Sequence, residues 1–524
     1  MEPEAKSSIF PRTSPAGGKA LADVTASTPA DVTSAVRRAR TAQASWAEIP
    51  VEKRVKAIAG MKNVILARAE EIATAIHDET GKPDAEALLG EVLASADVVT
   101  YWAGLVADEL EPFEAEMDGL SYPKKSGWVH REARGVIALV MPWNFPFALP
   151  LRTIIPALMA GNAVVFKPSE ITPRTGKLLV SLFDGLAPDG ILGIVQGGGD
   201  IGAALIEDEI DSVVFTGSTA TGKKVAHACA ERLLPCTLEL GGKDAAIVLA
   251  DADLERAANG IVWGAVMNAG QNCGAVERVY VEKIVAAKLT EKIVAATKAL
   301  RYGEDFGPLT TAAQKAIVVR HVDAAKAGGA KILAGGGDVD GAALGYQPTV
   351  VTLDRDDADL VADETFGPVI PIMVVEDSAE ALRRANASRY GLTASIWTAN
   401  IVEAEKLARR LKAGVVTINN HSFTGAIPSV PWGGVGESGW GFTGSPLALE
   451  HLTRPRLVIV DRNKASRETW WYPYSPTLKK MALSFALLRG GAKTFGARLG
   501  ALLALLGLLP KRMGELKSGK PASP

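Results

Sequence analysis

The strongest constraint on the fold of this chain is a series of short apolar runs that alternate with helical stretches. Four of them precede residue 220 and cover residues 135–140, 162–166, 191–195 and 212–215. Each is rich in Val, Ile, Leu, Ala or Phe over only four to six residues, which is typical of strands buried on both faces. Because such strands alternate with helices, the pattern predicts βαβ units and a parallel sheet.

A second series of apolar runs follows Glu239 and predicts a second α/β domain. Its members are residues 245–249, 278–281, 350–351, 369–374 and 415–418. The chain has 524 residues, enough for two or three domains of about 150 residues each. We therefore expect two α/β domains with appendages.

Helical patterns precede the first strand. Residues 35–78 have apolar residues at helical spacing with a break at Ile49-Pro50, and the segment 79–83 ends the run with a glycine and a proline. Residues 84–111 are again helical in pattern. The first 30 residues are rich in Ser, Thr, Pro and Gly, and we expect them to form a loose arm.

Charge and composition exclude several classes of protein. The net charge is −2, which gives no reason to expect a nucleic acid partner. Three cysteines are too few for a disulfide framework and fit a reducing compartment. The six histidines show no metal-binding spacing, and the amino terminus has no leader pattern. We expect a cytoplasmic protein without a metal.

The last 55 residues differ from the rest of the chain. Residues 470–524 contain nine Lys or Arg and one acid, a charge of +8. An aromatic cluster at 470–474 precedes a Leu-rich stretch, which Gly490-Gly491 divides into two predicted helices. Its longest apolar run, residues 499–510, is too short to span a bilayer. The pattern predicts a segment lying on anionic lipid, with a contact to the protein body or a second subunit as the alternative.

Cys273 is a candidate nucleophile. It lies between Gly270 and Gly274, which allow a sharp turn and leave room for a substrate. A thiolate is a strong nucleophile when it is accessible. The alternative is a small buried apolar residue, a common role for a single cysteine.

Two other segments contain groups that can assist a nucleophile. Glu239 ends an apolar stretch before Gly241 and Gly242, so its carboxylate can act as a general base in a cleft; a solvated strand end is the alternative. Asn144 lies in a proline-flanked turn after a predicted strand. Its amide can donate to an oxyanion, and the alternative is a structural turn with a core Trp143.

Three segments at strand ends can hold a dinucleotide. Lys167 and Glu170 can bind ribose hydroxyls beyond the carboxyl end of a strand. Residues 215–223 lead through a Ser/Thr/Gly turn into a helix, whose amino terminus favours a pyrophosphate. Residues 197–202 fit G-x-G-x-x-G, but the acid expected about 20 positions later is missing. We expect there only a glycine-rich turn near the cofactor.

Taken in order, these segments resemble the NAD(P)-dependent aldehyde dehydrogenase superfamily. The resemblance covers residues 31–453, and its motifs are Pro142–Phe145, Lys167–Glu170, Phe215–Ser218, Glu239–Gly242, Gly270–Cys273 and Glu364–Pro368. It implies an α/β fold with a variant Rossmann cofactor domain, an α/β catalytic domain and small oligomerisation elements. The implied ranges are 1–113 and 132–240 for the NAD-binding domain, 241–447 for the catalytic domain, 114–131 and 448–462 for an oligomerisation flap and strand, and 470–524 for a C-terminal extension.

The resemblance also implies the roles of individual residues. Cys273 would attack the aldehyde, Asn144 and the Cys273 N–H would hold the oxyanion, and Glu239 would activate the water that hydrolyses the thioester. The implied cofactor-binding residues are Trp143, Lys167, Ser169, Glu170, Gly197, Gly202, Phe215, Thr216, Gly217, Ser218, Leu240, Gly241, Glu364 and Phe366. NAD is favoured because Glu170 would repel a 2′-phosphate, with NADP as the alternative because Lys167 is close.

The implied substrate is a small-molecule aldehyde, and an aliphatic one is favoured. One alternative is a succinate-semialdehyde-type dehydrogenase, which would need a cationic pocket. The other is an inactive, membrane-associated scaffold whose tail is the working part. The resemblance implies a homodimer or homotetramer. The tail adds an expected peripheral contact with the inner face of a membrane.

Overall fold

The computed structural model describes residues 9–119, 121–491 and 493–518. It divides into two compact units. The first runs to Pro112 and resumes over His130–Arg456, and the second comprises Phe113–Val129 and the chain from Leu457 onward.

The strands give three sheets and one hairpin. Their bounds are β1 (Ile9–Thr13), β2 (Ala20–Thr25), β3 (Phe113–Glu114), β4 (Lys125–Ala133), β5 (Val136–Val140), β6 (Ala163–Lys167), β7 (Leu192–Ile194), β8 (Ser212–Thr216), β9 (Cys236–Glu239), β10 (Asp244–Val248), β11 (Val276–Glu282), β12 (Lys331–Ala334), β13 (Thr349–Thr352), β14 (Val369–Val375), β15 (Thr393–Trp397), β16 (Val415–Ile418), β17 (Gly439–Trp440) and β18 (Thr453–Asp461).

Most helices lie between the strands. Their bounds are α1 (Pro29–Ala47), α2 (Val51–Ala59), α3 (Met61–Ala67), α4 (Ala69–Thr80), α5 (Asp84–Ala87), α6 (Ala94–Ala103), α7 (Val106–Glu109), α8 (Ala148–Met159), α9 (Pro173–Ser181), α10 (Gly199–Glu207), α11 (Thr219–Glu231), α12 (Leu254–Val266), α13 (Lys283–Lys298), α14 (Ala312–Ala327), α15 (Asp359–Ala362), α16 (Ser378–Ala385), α17 (Ile401–Ala408), α18 (Ala448–Leu452), α19 (Pro476–Ala486) and α20 (Phe495–Ser518).

The first large sheet has the order β17-β9-β8-β5-β6-β7. Strands β9, β8, β5, β6 and β7 pair in parallel, and only β17 is antiparallel. Every side chain of β6 and β8 is buried, as expected for strands covered on both faces. The carboxyl ends of β5, β6, β8 and β9 therefore lie along one edge, and Asn144, Lys167, Gly217 and Glu239 lie at or just beyond them.

The second large sheet has the order β12-β13-β14-β11-β10-β15-β16. Neighbouring strands in this sheet pair in parallel, except that β12 and β13 pair antiparallel to each other. Two buried apolar clusters cover it, one containing side chains of α12 and α13 and the other side chains of α14 and α16. This sheet supports the loop that carries Cys273, since that loop joins α12 to β11.

Sequence patterns predicted the two parallel sheets but missed some members. Strands β9 and β15 were not predicted, because their sequences, CTLE and TASIW, are short and partly polar. The expected loose arm is wrong for residues 9–25, where β1 and β2 form an antiparallel hairpin. The predicted break at Ile49-Pro50 is confirmed by the end of α1 and the start of α2.

The second unit contains β3, the tail helices α19 and α20, and parts of β4 and β18. The order of the third sheet is β18-β4-β3. The predicted division near Gly490 is confirmed, because Gly490 has a φ of 138° between α19 and α20. Among the described residues, no helix combines the length and apolar character needed to cross a membrane.

Candidate active site

The loop before Cys273 has an unusual backbone. Asn268, Ala269 and Gly270 have φ values of 56°, 53° and 72°, a left-handed region that is unfavourable for most residues. A Cβ on Gly270 would lie 2.2 Å from the carbonyl of Gly367, so only glycine fits there. This turn allows β11 to begin three residues after a half-buried Cys273.

Asn144 and Glu239 are both buried beside this loop. Asn144 is 3% exposed, and its Nδ2 donates to the carbonyl of Gln271 at 3.1 Å. Its Oδ1 is buried and has no hydrogen-bond partner among the described residues. Glu239 ends β9, is also 3% exposed, and accepts a hydrogen bond from Thr443 Oγ1 at 2.5 Å.

Burial and nearby charges shift the pKa values of both reactive groups. Burial raises the pKa of the Cys273 thiol, and the charge of Glu239 raises it further. Burial also raises the pKa of Glu239, although the Thr443 hydrogen bond and the charge of Arg152 oppose this shift. These shifts favour a neutral thiol at Cys273 and, at low pH, a neutral carboxyl at Glu239.

Cys273 lines two cavities. The cofactor-side cavity has a volume of about 700 Å³ and also contains Asn144 and Glu239 in its wall. The apolar cavity has a volume of about 660 Å³ and extends from Cys273 among α5, α8, α12 and α13. A thiol that faces two cavities can contact two different molecules at once.

The cofactor-side cavity contains nearly all the sequence-predicted cofactor residues. The predicted residues in its wall are Trp143, Lys167, Ser169, Glu170, Gly202, Phe215, Thr216, Gly217, Ser218, Leu240, Gly241, Glu364 and Phe366. Gly197 does not line it. A Cβ on Gly197 would lie 2.3 Å from the side chain of Ile201, so this glycine forms the turn before α10.

The same cavity has features that fit a dinucleotide. Helix α11 begins directly after Ser218, whose side chain accepts a hydrogen bond from Thr221 N–H at 3.3 Å. The other free N–H groups of this turn can hold a pyrophosphate. Gly241 and Glu364 also line this cavity. A Cβ on Gly241 would lie 2.3 Å from the Glu364 carboxylate, so the absence of a side chain at Gly241 leaves room for Glu364.

Lys167 and Glu170 are arranged as a pair for ribose hydroxyls. Lys167 Nζ is buried, donates to the Pro168 carbonyl at 2.9 Å and lies 3.9 Å from Glu170 Oε2. Burial lowers the pKa of Lys167, while Glu170 opposes that shift. Glu170 itself is half exposed, so its carboxylate is free to accept hydrogen bonds from a ligand.

The apolar cavity is lined mainly by hydrocarbon. Its apolar wall consists of Ala85, Leu89, Ala94, Val98, Phe145, Ala148, Leu149, Val262, Trp263, Val266, Met267, Ala296, Ala299, Leu300, Phe423, Ala426 and Trp432. Such a wall favours a ligand with an apolar chain.

The charged groups of the apolar cavity do not form an anion site. Arg152 is the cation among its described lining residues, and its guanidinium is bound to the carbonyls of Gly425, Ile427 and Val430. The acids in the wall include Glu86, whose pKa burial raises to about 7. Arg152 Nε is buried and has no partner among the described residues. A substrate carboxylate would therefore meet one cation in the described wall, and the other guanidinium nitrogens of that cation already donate to carbonyls.

Sequence reasoning missed several residues of both cavities. Thr221, Lys224 and Gln314 line the cofactor-side cavity, but they lie on helix surfaces where polar residues are common. Arg152 had a detectable signal, because it is the single charged residue in the otherwise apolar helix α8. Glu86 had none, since it follows an ordinary helix start.

Known proteins of one family are similar to this chain. The model of the aldehyde dehydrogenase family matches residues 2–458. The 4,4'-diapolycopene aldehyde oxidase of Methylomonas sp. is 37% identical over 470 residues, which cover 88% of each chain.

Solved structures of aldehyde dehydrogenases are also similar. The NAD⁺ complex of aldehyde dehydrogenase from Bacillus cereus has a TM-score of 0.84 and 33% identity, covering 87% of this chain and 94% of that one. Betaine aldehyde dehydrogenase from Staphylococcus aureus, in complex with NAD⁺, has a TM-score of 0.85 and 29% identity, covering 90% and 97%. The chain belongs to the aldehyde dehydrogenase family.

Proposed function

We propose that this protein oxidises an aldehyde with an apolar chain to its carboxylic acid, with NAD as the cofactor. The observation that supports this most is the position of Cys273 in the walls of both cavities. An aldehyde in the apolar cavity and a nicotinamide in the other would then meet at the same sulfur.

Cys273 would act as the nucleophile. Its thiolate adds to the aldehyde carbon, and the Asn144 amide together with the Cys273 N–H stabilises the resulting oxyanion. Bound NAD would supply the hydride acceptor. Once the adduct has lost its hydride, an acyl group remains on the Cys273 sulfur as a thioester. Because burial and the charge of Glu239 raise the pKa of the Cys273 thiol, a base beside it would assist the removal of its proton.

Glu239 would be that base and would also activate the hydrolytic water. Its raised pKa brings it closer to the working pH of a general base. The hydrogen bond from Thr443 orients one carboxylate oxygen. The carboxylate also lies in the wall of the cavity that Cys273 lines, where a water or the thiol proton can reach it.

NAD is favoured over NADP as the cofactor. A half-exposed Glu170 carboxylate beside the ribose-binding lysine would repel a 2′-phosphate. Lys224 in the same cavity wall is the feature that would favour NADP. Calorimetric titration of the Cys273→Ser variant with NAD and with NADP tests this preference. Tighter binding of NADP would contradict it.

The character of the apolar cavity favours a hydrophobic aldehyde over a semialdehyde. The relative from Methylomonas is named for a diapolycopene aldehyde, and this wall suits a long apolar chain. The semialdehyde alternative needs a cation with several free donors, whereas Arg152, the cation of the described wall, has only its buried Nε without a protein partner. The scaffold alternative gives no physical reason for Cys273, Glu239 and Asn144 to lie around one site.

We also propose that the tail lies on anionic lipid. On α20 the outward side chains Leu499, Leu502, Leu503, Leu506 and Leu509 are all exposed, Leu503 by 62%. They repeat at helical spacing and form one apolar face. Lys479, Lys480, Lys493, Arg498 and Lys511 supply positive charge around them. This combination fits the boundary between headgroups and acyl chains.

Vesicle binding tests the tail proposal. The full chain should sediment with vesicles rich in phosphatidylglycerol and less with phosphatidylcholine alone. Leu503→Ser with Leu506→Ser should reduce binding about tenfold or more, since each change exposes less hydrocarbon to lipid. Leu233→Ser, at a 91% exposed position of the other unit, is the control. Unchanged binding of the double variant would contradict the proposal.

The remaining expectations concern assembly. We propose that the ranges 1–113 with 132–240 form the NAD-binding domain and 241–447 the catalytic domain, with subunit contacts through 114–131 and 448–462. The exposed apolar row Leu457–Val460 at the edge of the third sheet supports a subunit contact. Light scattering of the wild type and of Val458→Lys tests this subunit contact. We expect the wild type to be a dimer or tetramer and the variant to dissociate.

A further inference from the structure

The buried groups around Asn268 connect the two parts of the reactive site. Asn268 is 3% exposed and lies five residues before Cys273. Its Nδ2 donates to the carbonyl of Asn144 at 2.9 Å and to the carbonyl of Gln271 at 2.9 Å. One nitrogen with two hydrogens thus bridges the segment of the oxyanion donor and the loop of the nucleophile.

The bridge is reinforced from both sides. The Asn144 side chain donates to the same Gln271 carbonyl at 3.1 Å, and Gln271 Nε2 returns a hydrogen bond to the Asn268 carbonyl at 3.0 Å. The Asn144 carbonyl also accepts a hydrogen bond from Lys82 Nζ at 3.0 Å. These contacts form a closed set of buried hydrogen bonds.

The backbone at Asn268 explains why an asparagine suits this position. Its φ of 56° is left-handed, and asparagine tolerates this region better than other residues with a side chain. Glycine would tolerate it as well but has no amide to donate. Aspartate has the same shape, but an ionised carboxylate would face two carbonyl oxygens without a hydrogen to offer.

We propose that Asn268 is a positioning residue that holds the oxyanion donor Asn144 in register with Cys273. The inference rests on the proposed roles of Asn144 and Cys273. The amide does not contact the aldehyde; it fixes the separation between the two groups that do. Small displacements of such groups reduce rates strongly because transition-state stabilisation depends on their geometry.

The structure also indicates which variant isolates this role. Each bridged carbonyl keeps another donor when the Asn268 amide is removed, namely Lys82 for Asn144 and the Asn144 amide for Gln271. Asn268→Gly therefore removes the bridge, keeps the left-handed backbone and leaves neither carbonyl unpaired. Ala269→Gly is the matched control, because Ala269 has a φ of 53° and no side-chain hydrogen bond to lose.

The test is a double-mutant cycle on NADH formation with a hydrophobic aldehyde. Asn268→Gly should lower kcat/KM by about tenfold to 100-fold, with NAD affinity and Cys273 alkylation by iodoacetamide unchanged. In an Asn144→Ala background the same change should alter kcat/KM by less than twofold, because Asn268 acts through Asn144. The double variant should melt at a lower temperature than either single variant, since the Gln271 carbonyl then loses both side-chain donors. Ala269→Gly should stay within twofold of the wild type.

Three results would overturn the inference. Wild-type kcat/KM for Asn268→Gly would show that the bridge is not needed, and an equal loss in the Asn144→Ala background would show that Asn268 acts independently. Full activity of Asn144→Ala itself would remove the proposed role of Asn144 and the inference with it. If Asn268→Gly melts far below the wild type, Asn268→Ala, which also lacks the amide but adds no charge, replaces it in the cycle with the same expectations.

Discussion

At the scale of single residues, the proposed mechanism depends on two groups with opposed needs, the half-buried Cys273 and the buried Glu239. Cys273 must lose a proton to react, yet burial and the charge of Glu239 raise its pKa. Glu239 must be ionised to accept a proton, yet burial raises its pKa too. In the proposed mechanism the proton moves from the sulfur to the carboxylate, which resolves the conflict because only one of the two groups is then negatively charged.

Removal of the sulfur tests the nucleophile. Cys273→Ala should abolish NADH formation and the burst of p-nitrophenol from p-nitrophenyl acetate, because both need a covalent intermediate on the thiol. NAD should bind with wild-type affinity, which serves as the folding control. Residual turnover above about one thousandth of the wild type would contradict the assignment.

Glu239→Gln should separate acylation from hydrolysis. With p-nitrophenyl acetate at alkaline pH, where hydroxide can take the thiol proton in place of Glu239, we expect a burst of one equivalent per active site. The steady rate that follows should fall about 100-fold or more, because the water loses its base. A steady rate equal to that of the wild type would exclude Glu239 as the hydrolytic base.

The pH dependence of hydrolysis follows from the raised pKa of Glu239. Because the carboxyl is protonated at low pH, the wild-type rate should decrease as pH falls through a pKa above the usual value near 4.5. The slow rate of Glu239→Gln should not show this decrease. Measurement of acyl-enzyme hydrolysis across pH 5–9, a range of roughly two units on each side of neutrality, checks both curves.

At the scale of elements, the loop 267–270 between α12 and β11 determines where the thiol lies. Gly270→Ala would combine a left-handed alanine with a Cβ only 2.2 Å from the Gly367 carbonyl. We expect a lower melting temperature and loss of NADH formation. Gly500→Ala in α20 is the control, because a Cβ there meets nothing within 4 Å. Equal melting temperatures for the Gly270 variant and the wild type would contradict this account of the loop.

Some strands and site residues could be predicted from the sequence, and others could not. Continuous apolar runs predicted β5, β6, β7 and β8, because parallel strands buried on both faces need no polar residues. The same criterion missed β9, although its last residue is Glu239. The candidate site could be predicted because its glycines and reactive side chains lie at the ends of strands. Arg152, Glu86 and the bridge through Asn268 could not, because their roles depend on contacts between segments that are distant in sequence.

At the scale of the whole molecule, the apolar cavity and the basic tail both suit a substrate that dissolves in lipid. A substrate with a long apolar chain partitions into membranes, and a tail that lies on lipid would keep the enzyme near its source. Each feature has its own evidence, since the cavity is formed in the first unit and α20 lies in the second. Failure of vesicle binding would leave the substrate proposal intact.

The most direct test of the central claim is the rate of NADH formation with saturated aldehydes of increasing chain length, compared with succinic semialdehyde. If the apolar cavity holds the chain, kcat/KM should rise with length by up to about fourfold for each buried methylene, and succinic semialdehyde should be a poor substrate. The Cys273→Ala variant is the blank. A preference for succinic semialdehyde, or no turnover of any aldehyde with NAD bound, would contradict the account.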